Sequence, residues 1–256
     1  YGHLLGHDPV DAEKAKALLS EAGYPITVRK WKRGTALESS VEVYRGSTKD
    51  NGYGDDPEVL VDGQGHRVAM VHRNTTTFET EHYLLLASGP KRLGLPLKSR
   101  IERLYDNQLI IALDEKWTPE GGTGSIAEGS VVSVDVKAAT ADPAHLKPTI
   151  LFEPTAKEFA QGVSTTKNHV LLTTLENVQG RAYIYSRSKA GKWTHVKLPV
   201  PDNLTVGIAT TDLMNDKFFL AQTGFLTSSS VSLGDAAAGS LKPGKTQRAL
   251  FDGSRD

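Results

Sequence analysis

Residues Phe159 to Pro201 hold four short apolar runs in a row: FAQGVSTT (Phe159–Thr166), HVLLTTLE (His169–Glu176), RAYIYSRS (Arg181–Ser188) and THVKLPVP (Thr194–Pro201). Each is rich in β-branched and aromatic residues. Each is closed by turn formers: Lys167-Asn168, then Asn177-Val178-Gln179-Gly180, then Lys189-Ala190-Gly191-Lys192. That pattern predicts four strands joined by tight connections.

The unit recurs on both sides. Segments like the third run begin at residues 27 (TVRKWKRG), 82 (HYLLLASG), 130 (SVVSVDVK), 181 and 229 (SSVSLGDA). Segments like the fourth begin at 40 (SVEVYRGS), 90 (PKRLGLPL), 148 (PTILFEPT), 194 and 246 (TQRALFDG). In the later repeats two further strands come first: EVLVDG with HRVAMVHR, IERLYDN with QLIIALDE, and LTVGIATT with KFFLAQTG. A four-strand unit returning about every 50 residues predicts the blade of a β-propeller. The expected fold is therefore all-β, a partial propeller of about four and a half blades: four from about residue 57 onward, plus two strands of an earlier one at 27–46. A β-sandwich of evenly spaced strands is the alternative. A repeat of four strands rather than two favours the propeller.

The first residues read differently. In DPVDAEKAKALLSEAG, Asp8 can cap a helix, Pro9 suits its first turn, and Asp11 and Glu13 complement its dipole. Ala15, Leu18, Leu19 and Ala22 give one apolar stripe, and Gly23 a stop. This is the one helix expected, so the chain divides into a helical segment, 1–25, and a propeller domain, 26–256.

Thirty basic and thirty acidic residues cancel, which removes the electrostatic footprint of a nucleic-acid or anionic-membrane binder. No apolar run reaches the roughly 20 residues a membrane helix needs, and the first residues lack a signal-peptide pattern. A soluble chain, cytoplasmic or periplasmic, is expected. With no cysteine there is no disulfide, thiolate nucleophile or thiolate metal site.

GSLKPGKT, Gly239 to Thr246, matches the phosphate-loop pattern letter for letter. A working loop leaves a buried strand and opens a helix whose N-terminus holds the phosphates. Here AAAG precedes the match and the strand-like TQRALFD follows, so Lys242-Pro243-Gly244 reads as a solvent-facing turn. Ser125 in GGTGSIAEG lacks the G-x-S-x-G frame of a hydrolase elbow and reads as a hairpin loop. His3 and His7 are four apart, but Leu4 stands where a metalloprotease needs Glu. His66 and His72 share one predicted strand face beside His82, a candidate histidine cluster weighed against ordinary packing. Asp55, Asp56 and Glu58 lack a calcium ligand ladder and read as a solvated connection. Asp114 and Glu115 are adjacent on a strand end, so they diverge and cannot flank a glycosidic bond. Trp31, Trp117 and Trp193 read as packing between blades. Asn74 and Asn203 begin glycan sequons that matter only in a glycosylating host. No catalytic, cofactor-binding or metal residue is assigned.

YPITVRKWKRGT, HRNTTTFETEHYLLL, ILFEPTAKEFAQGVSTTKNHVLLTTLENVQGR and FFLAQTGFLTSSSVSL followed by RALFD resemble the propeller of bacterial prolyl oligopeptidases, over about nine tenths of the chain. LENVQGR and FLTSSSVSL carry most of the specificity. The resemblance implies a seven-bladed propeller that caps an α/β-hydrolase domain and filters substrates, in a serine peptidase cleaving short peptides after proline. It places nucleophile, acid and histidine in the hydrolase domain, after a point near RALFDGSRD, so none maps onto this chain. DAEKAKALLSEAGYP is similar instead to a helix of the periplasmic peptide-binding proteins of ABC importers. The expectations are a truncated, recombined partial propeller that does not hydrolyse peptides alone and self-associates through exposed blade faces. The alternatives are a stand-alone interaction module and, last, an importer's binding protein.

Overall fold

The structure, a computed structural model, describes residues 16–122 and 124–249. Their core is four antiparallel four-stranded sheets, each built from consecutive strands, plus one two-stranded sheet. The two-stranded sheet pairs β1 (Thr27–Lys30) with β2 (Val41–Arg45). The first full sheet runs β3 (Gly54–Val61), β4 (Arg67–Asn74), β5 (Thr80–Leu86), β6 (Gly89–Arg92). The second runs β7 (Ser99–Tyr105), β8 (Gln108–Leu113), β9 (Val131–Asp135), β10 (Thr149–Phe152). The third runs β11 (Glu158–Thr165), β12 (Val170–Glu176), β13 (Gln179–Arg187), β14 (Trp193–Lys197). The fourth runs β15 (Thr205–Thr211), β16 (Lys217–Thr223), β17 (Ser230–Asp235), β18 (Ser240–Thr246).

The apolar residues decide between propeller and sandwich. A sandwich has one core between two sheets. Here four clusters alternate with the sheets. Val28 and Tyr44 meet Val71 between the two-stranded and first full sheets. Leu60, Met70 and Leu84 meet Leu104, Leu109, Ile111 and Val132 between the first and second. Tyr105, Ile110 and Val131 meet Val163, Val170, Leu172 and Tyr185 between the second and third. Leu171, Ala182 and Ile184 meet Val206, Phe218 and Leu220 between the third and fourth. Successive strand residues point to opposite faces, so odd and even positions of one strand serve different neighbours. That is why β8 is buried at all six positions and reads as a continuous apolar run rather than an alternating one. The sheets stack face to face in sequence, as propeller blades do.

The first strand of each blade is innermost. β3 touches β7, β7 touches β11 and β11 touches β15. β7, β11 and β15 each carry a bulge against the second strand, beside Glu102, Gln161 and Ala209. A recurring bulge bends and twists each inner strand at an equivalent point.

Four details differ from the sequence reading. A second helical piece, α1 (Val136–Ala141), follows β9, with the Asp135 carboxylate accepting from the Ala138 amide at 2.8 Å as its N-cap. The outer strand of the first full sheet ends at Arg92, and Leu93 and Leu95 instead plug the core as irregular chain. The expected outer strand TQRALFD lies almost wholly past the strand that forms, Ser240–Thr246. Most of the Asp8–Gly23 helix lies outside the described residues; at its C-terminal end Leu19 forms a β-bridge with Pro25, and Ser20 to Gly23 make a turn.

Candidate functional site

The connections between first and second strands gather at one end of the blade stack. They are residues 62–66, 106–107, 166–169 and 212–216, and polar bonds tie them across blades. The buried Asp62 carboxylate accepts from the Gln64 amide (3.0 Å), the His66 amide (2.9 Å) and the Asn107 amide of the next blade (3.1 Å). It also meets His66 Nδ1 at 2.7 Å. Gln64 Nε2 donates to the Lys167 carbonyl at 2.6 Å, and the Tyr105 hydroxyl to the Asn168 carbonyl at 2.7 Å. Asp216 accepts from Thr166 (2.9 Å) and from the Asn168 amide and side chain (both 2.8 Å). Burial works to raise both carboxyls, but these donors outweigh it and hold Asp62 and Asp216 below the usual aspartate range. A methyl group on Gly63 would overlap the Lys167 backbone, so glycine permits this close approach. The inner strands thus converge on a tied hub.

The opposite end carries the connections between second and third strands. Their tips are apolar and exposed: Phe78, Val178, Phe225 (100% exposed) and Leu226. Asn177 and Val178 both adopt positive φ, as the tightest hairpin turns require.

The histidines that the sequence grouped are divided. His66 lies in the Asp62 turn, not on a strand. His72 on β4 and His82 on β5 are direct cross-strand partners. Their Nδ1 atoms are 2.8 Å apart, His72 Nε2 is 3.0 Å from a Glu58 oxygen, and His82 Nε2 is 3.0 Å from the Ser99 carbonyl on the second sheet. Burial, then the charge of His72, lowers His82 to about 4.

The acidic group is not a solvated connection. Asp55, Asp56 and Glu58 sit on β3. Asp55 is 7% exposed, and neither carboxylate oxygen has a hydrogen-bond partner. Burial, with the charges of Asp50 and Asp56, pushes it up to about 7 against the pull of Arg73. Arg73 is occupied elsewhere: its fork bonds Asp50 at 2.8 and 2.7 Å, and Nη1 bonds Glu81 at 3.0 Å. Among the described residues, no group of three or more such acidic and histidine side chains is arranged to hold a metal ion.

GSLKPGKT is neither a phosphate cradle nor the turn expected of it. Residues 240–246 form β18, an exposed edge strand bulged against β17. Pro243 is tolerated because an edge strand leaves one row of amides unpaired. Ser125 lies in a long hairpin closed by mutual Trp117–Ile126 backbone bonds of 3.0 and 2.7 Å. It borders an open depression of about 530 Å³ shared with His145 and Leu146; His145 is turned to Asp142 at 2.9 Å. Asp114 pairs with Arg100, while Glu115 accepts the Lys98 amide at 2.8 Å, so the two do diverge. Trp117 is core and Trp193 packs at a tilt against Tyr105 of the neighbouring blade, but Trp31 is 47% exposed and joins no core cluster. His3 and His7 lie outside the described residues. No helix among the described residues is long and apolar enough to cross a membrane.

No family model matches the chain. A protein named uncharacterized peptidase y4nA, from Sinorhizobium fredii, is 32% identical over 91% of this chain and 32% of its own length. A post-proline cleaving enzyme from Rickettsia typhi superposes with a TM-score of 0.74 at 19% identity, over 93% of this chain and 34% of the enzyme. Oligopeptidase B from Trypanosoma brucei gives 0.61 at 15% identity, over 92% and 33%. The chain therefore spans about a third of the length of the proteins it matches. Blade stacking, the inner-strand axis and these likenesses agree: in fold, this chain is a partial β-propeller of the kind carried by peptidases of the prolyl oligopeptidase family.

Proposed function

We propose that this chain is the substrate-gating propeller part of a prolyl oligopeptidase-like serine peptidase that acts on short proline-containing peptides. The observation that carries the reading is the superposition of 93% of the chain on a post-proline cleaving enzyme, joined to 32% identity with a peptidase. A stack of stiff sheets around an axis selects by shape: a flexible peptide passes where a packed domain does not. Hydrolysis belongs to a separate α/β-hydrolase domain, so these residues alone have no turnover. Incubation with a proline-containing chromogenic peptide tests this; turnover abolished by a serine-directed inhibitor refutes it. In the whole peptidase, short peptides are cleaved and the same sequence inside a folded domain is not. Equal rates for both refute the gate.

A second reading, a stand-alone interaction module, is favoured by the exposed tips Phe78, Val178, Phe225 and Leu226. Their clustering at one end of the stack suits a binding face. It predicts a stable, monodisperse chain that captures a partner protein, with capture lost on Phe225→Ser. The peptidase reading instead places those tips against another domain of the same protein.

A further inference from the structure

The contacts of His72 and His82 constrain their protons. The Ser99 carbonyl can only accept, so His82 Nε2 carries a hydrogen. An ionised Glu58 can only accept, so His72 Nε2 carries one too. With one proton per ring already placed, two neutral imidazoles would set bare Nδ1 lone pairs against each other at 2.8 Å. With all three contacts kept, one more proton lies between the rings, or on Glu58 with the ring tautomer reversed. Each arrangement gives the same count: the trio holds one proton beyond two neutral imidazoles and a carboxylate. Burial of His82 at 4% exposure and the contact of His72 with Glu58 favour the charge on His72.

The position of the trio gives the proton a structural task. His72 and His82 join β4 to β5, Glu58 joins β3, and the Ser99 carbonyl belongs to β7 of the following blade. One chain of hydrogen bonds thus crosses the joint between the first and second full sheets. Other charges nearby are engaged or turned away. Asp56, across from His72, accepts from Asn74 at 2.9 Å. Glu81 on β5 points to the opposite face and pairs with Arg73 and Arg92. Arg100 on β7 pairs with Glu102 and Asp114. Lys91 on β6 lies across from Leu84 and is exposed.

We propose that Glu58, His72 and His82 form a proton-held clamp within the first full sheet that keeps His82 seated on the second: with the extra proton bound the two rings stay paired and His82 keeps its bond to the Ser99 carbonyl, and when it leaves the rings part and that inter-blade bond loosens. Nothing in the gating role requires it. The sign follows from the count: the clamp holds at lower pH and releases as pH rises through the titration of the trio, where two lone pairs come to face each other.

The test uses the full chain with ¹⁵N-labelled histidine, followed by long-range ¹H–¹⁵N spectra from about pH 5.5 to 9. The expected result is a neutral His82 protonated on Nε2, a His72 protonated on both nitrogens at the acid end, and loss of a single proton as pH rises. Hydrogen exchange at the Thr80 amide, which bonds the Leu97 carbonyl at 2.9 Å across this joint, then rises more than about tenfold beyond its intrinsic base dependence. Glu58→Gln, a change at a half-exposed side chain, moves the loss down by about one pH unit. Two neutral histidines at pH 6, proton loss that leaves Thr80 exchange unaltered, or an unmoved titration in Glu58→Gln would each overturn the proposal. So would uptake of one Zn²⁺ per chain that displaces the proton and disappears in His72→Asn, since the rings would then form a metal site.

Discussion

Asp55→Asn should make the protein more stable at alkaline pH, and the size of the gain can be worked out. Asp55 ionises near 7 in the folded chain, against an ordinary value of 3.8, because it is buried without a hydrogen-bond partner. A raised folded value means the folded state holds the proton more tightly than the unfolded one. The stability linked to that proton is therefore full below about pH 4 and is lost as pH climbs through 7. At 1.36 kcal/mol per pK unit, the penalty at pH 5 is about 1.5 kcal/mol and at pH 8 about 4 kcal/mol. Between those pH values the native protein loses about 2.5 kcal/mol that the asparagine variant keeps, or roughly 5–10 °C in Tm for a chain of this size. Groups remote from Asp55 titrate alike in both proteins, and any fixed cost of the amide shifts the variant's curve without tilting it. Urea midpoints at four pH values from 5 to 8.5 give the comparison. Parallel pH profiles would mean that Asp55 is solvated or partnered and carries no such penalty.

Three further outcomes can be checked. Gly234 faces Phe218 across the β16–β17 pair, where a methyl group would overlap the buried ring; Gly234→Ala should cost about 1–3 kcal/mol in denaturant unfolding. Phe219 and Leu233 are cross-strand partners exposed on the far face of the fourth sheet; Phe219→Lys with Leu233→Lys should shift the chain toward monomer in light scattering, and an unchanged distribution would exclude that face from self-association. Because Gly239–Thr246 lies on an exposed edge strand rather than a helix start, calorimetry with Mg·ATP should register no binding to the native chain or to Lys245→Ala.

The repeat was legible because the blades inside the stack bury both faces. Central strands such as QLIIAL and HVLLTT then become unbroken apolar runs, recurring at a fixed interval with Gly and Asn turns between them. What escaped is local. GDDPE looked like a polar connection, yet β3 is an inner edge strand, so Pro57 costs no ladder bond and Asp55 can be buried behind it. The same logic hid β18: Lys242-Pro243-Gly244 has turn chemistry, but a bulge on an outer edge absorbs it. α1 was marked only by Asp135 before VKAATA, a capping signal too short to outweigh the strand it follows. His72 and His82 were grouped correctly as neighbours. His66 was misplaced because Asp62 draws it into a turn. The unpaired state of Asp55 had no sequence signal, since it depends on Arg73 being claimed by Asp50 and Glu81.

The knot of first-to-second-strand turns has a mechanical corollary. Bonds concentrated around Asp62, Gln64 and Asp216 pin neighbouring sheets together near the axis, while toward the rim their grip on one another is largely nonpolar and without direction. Such a body bends like a hand fan: the pivot stays fixed and the leaves spread. Any opening would start at the side, between two leaves, long before the pivot gave way.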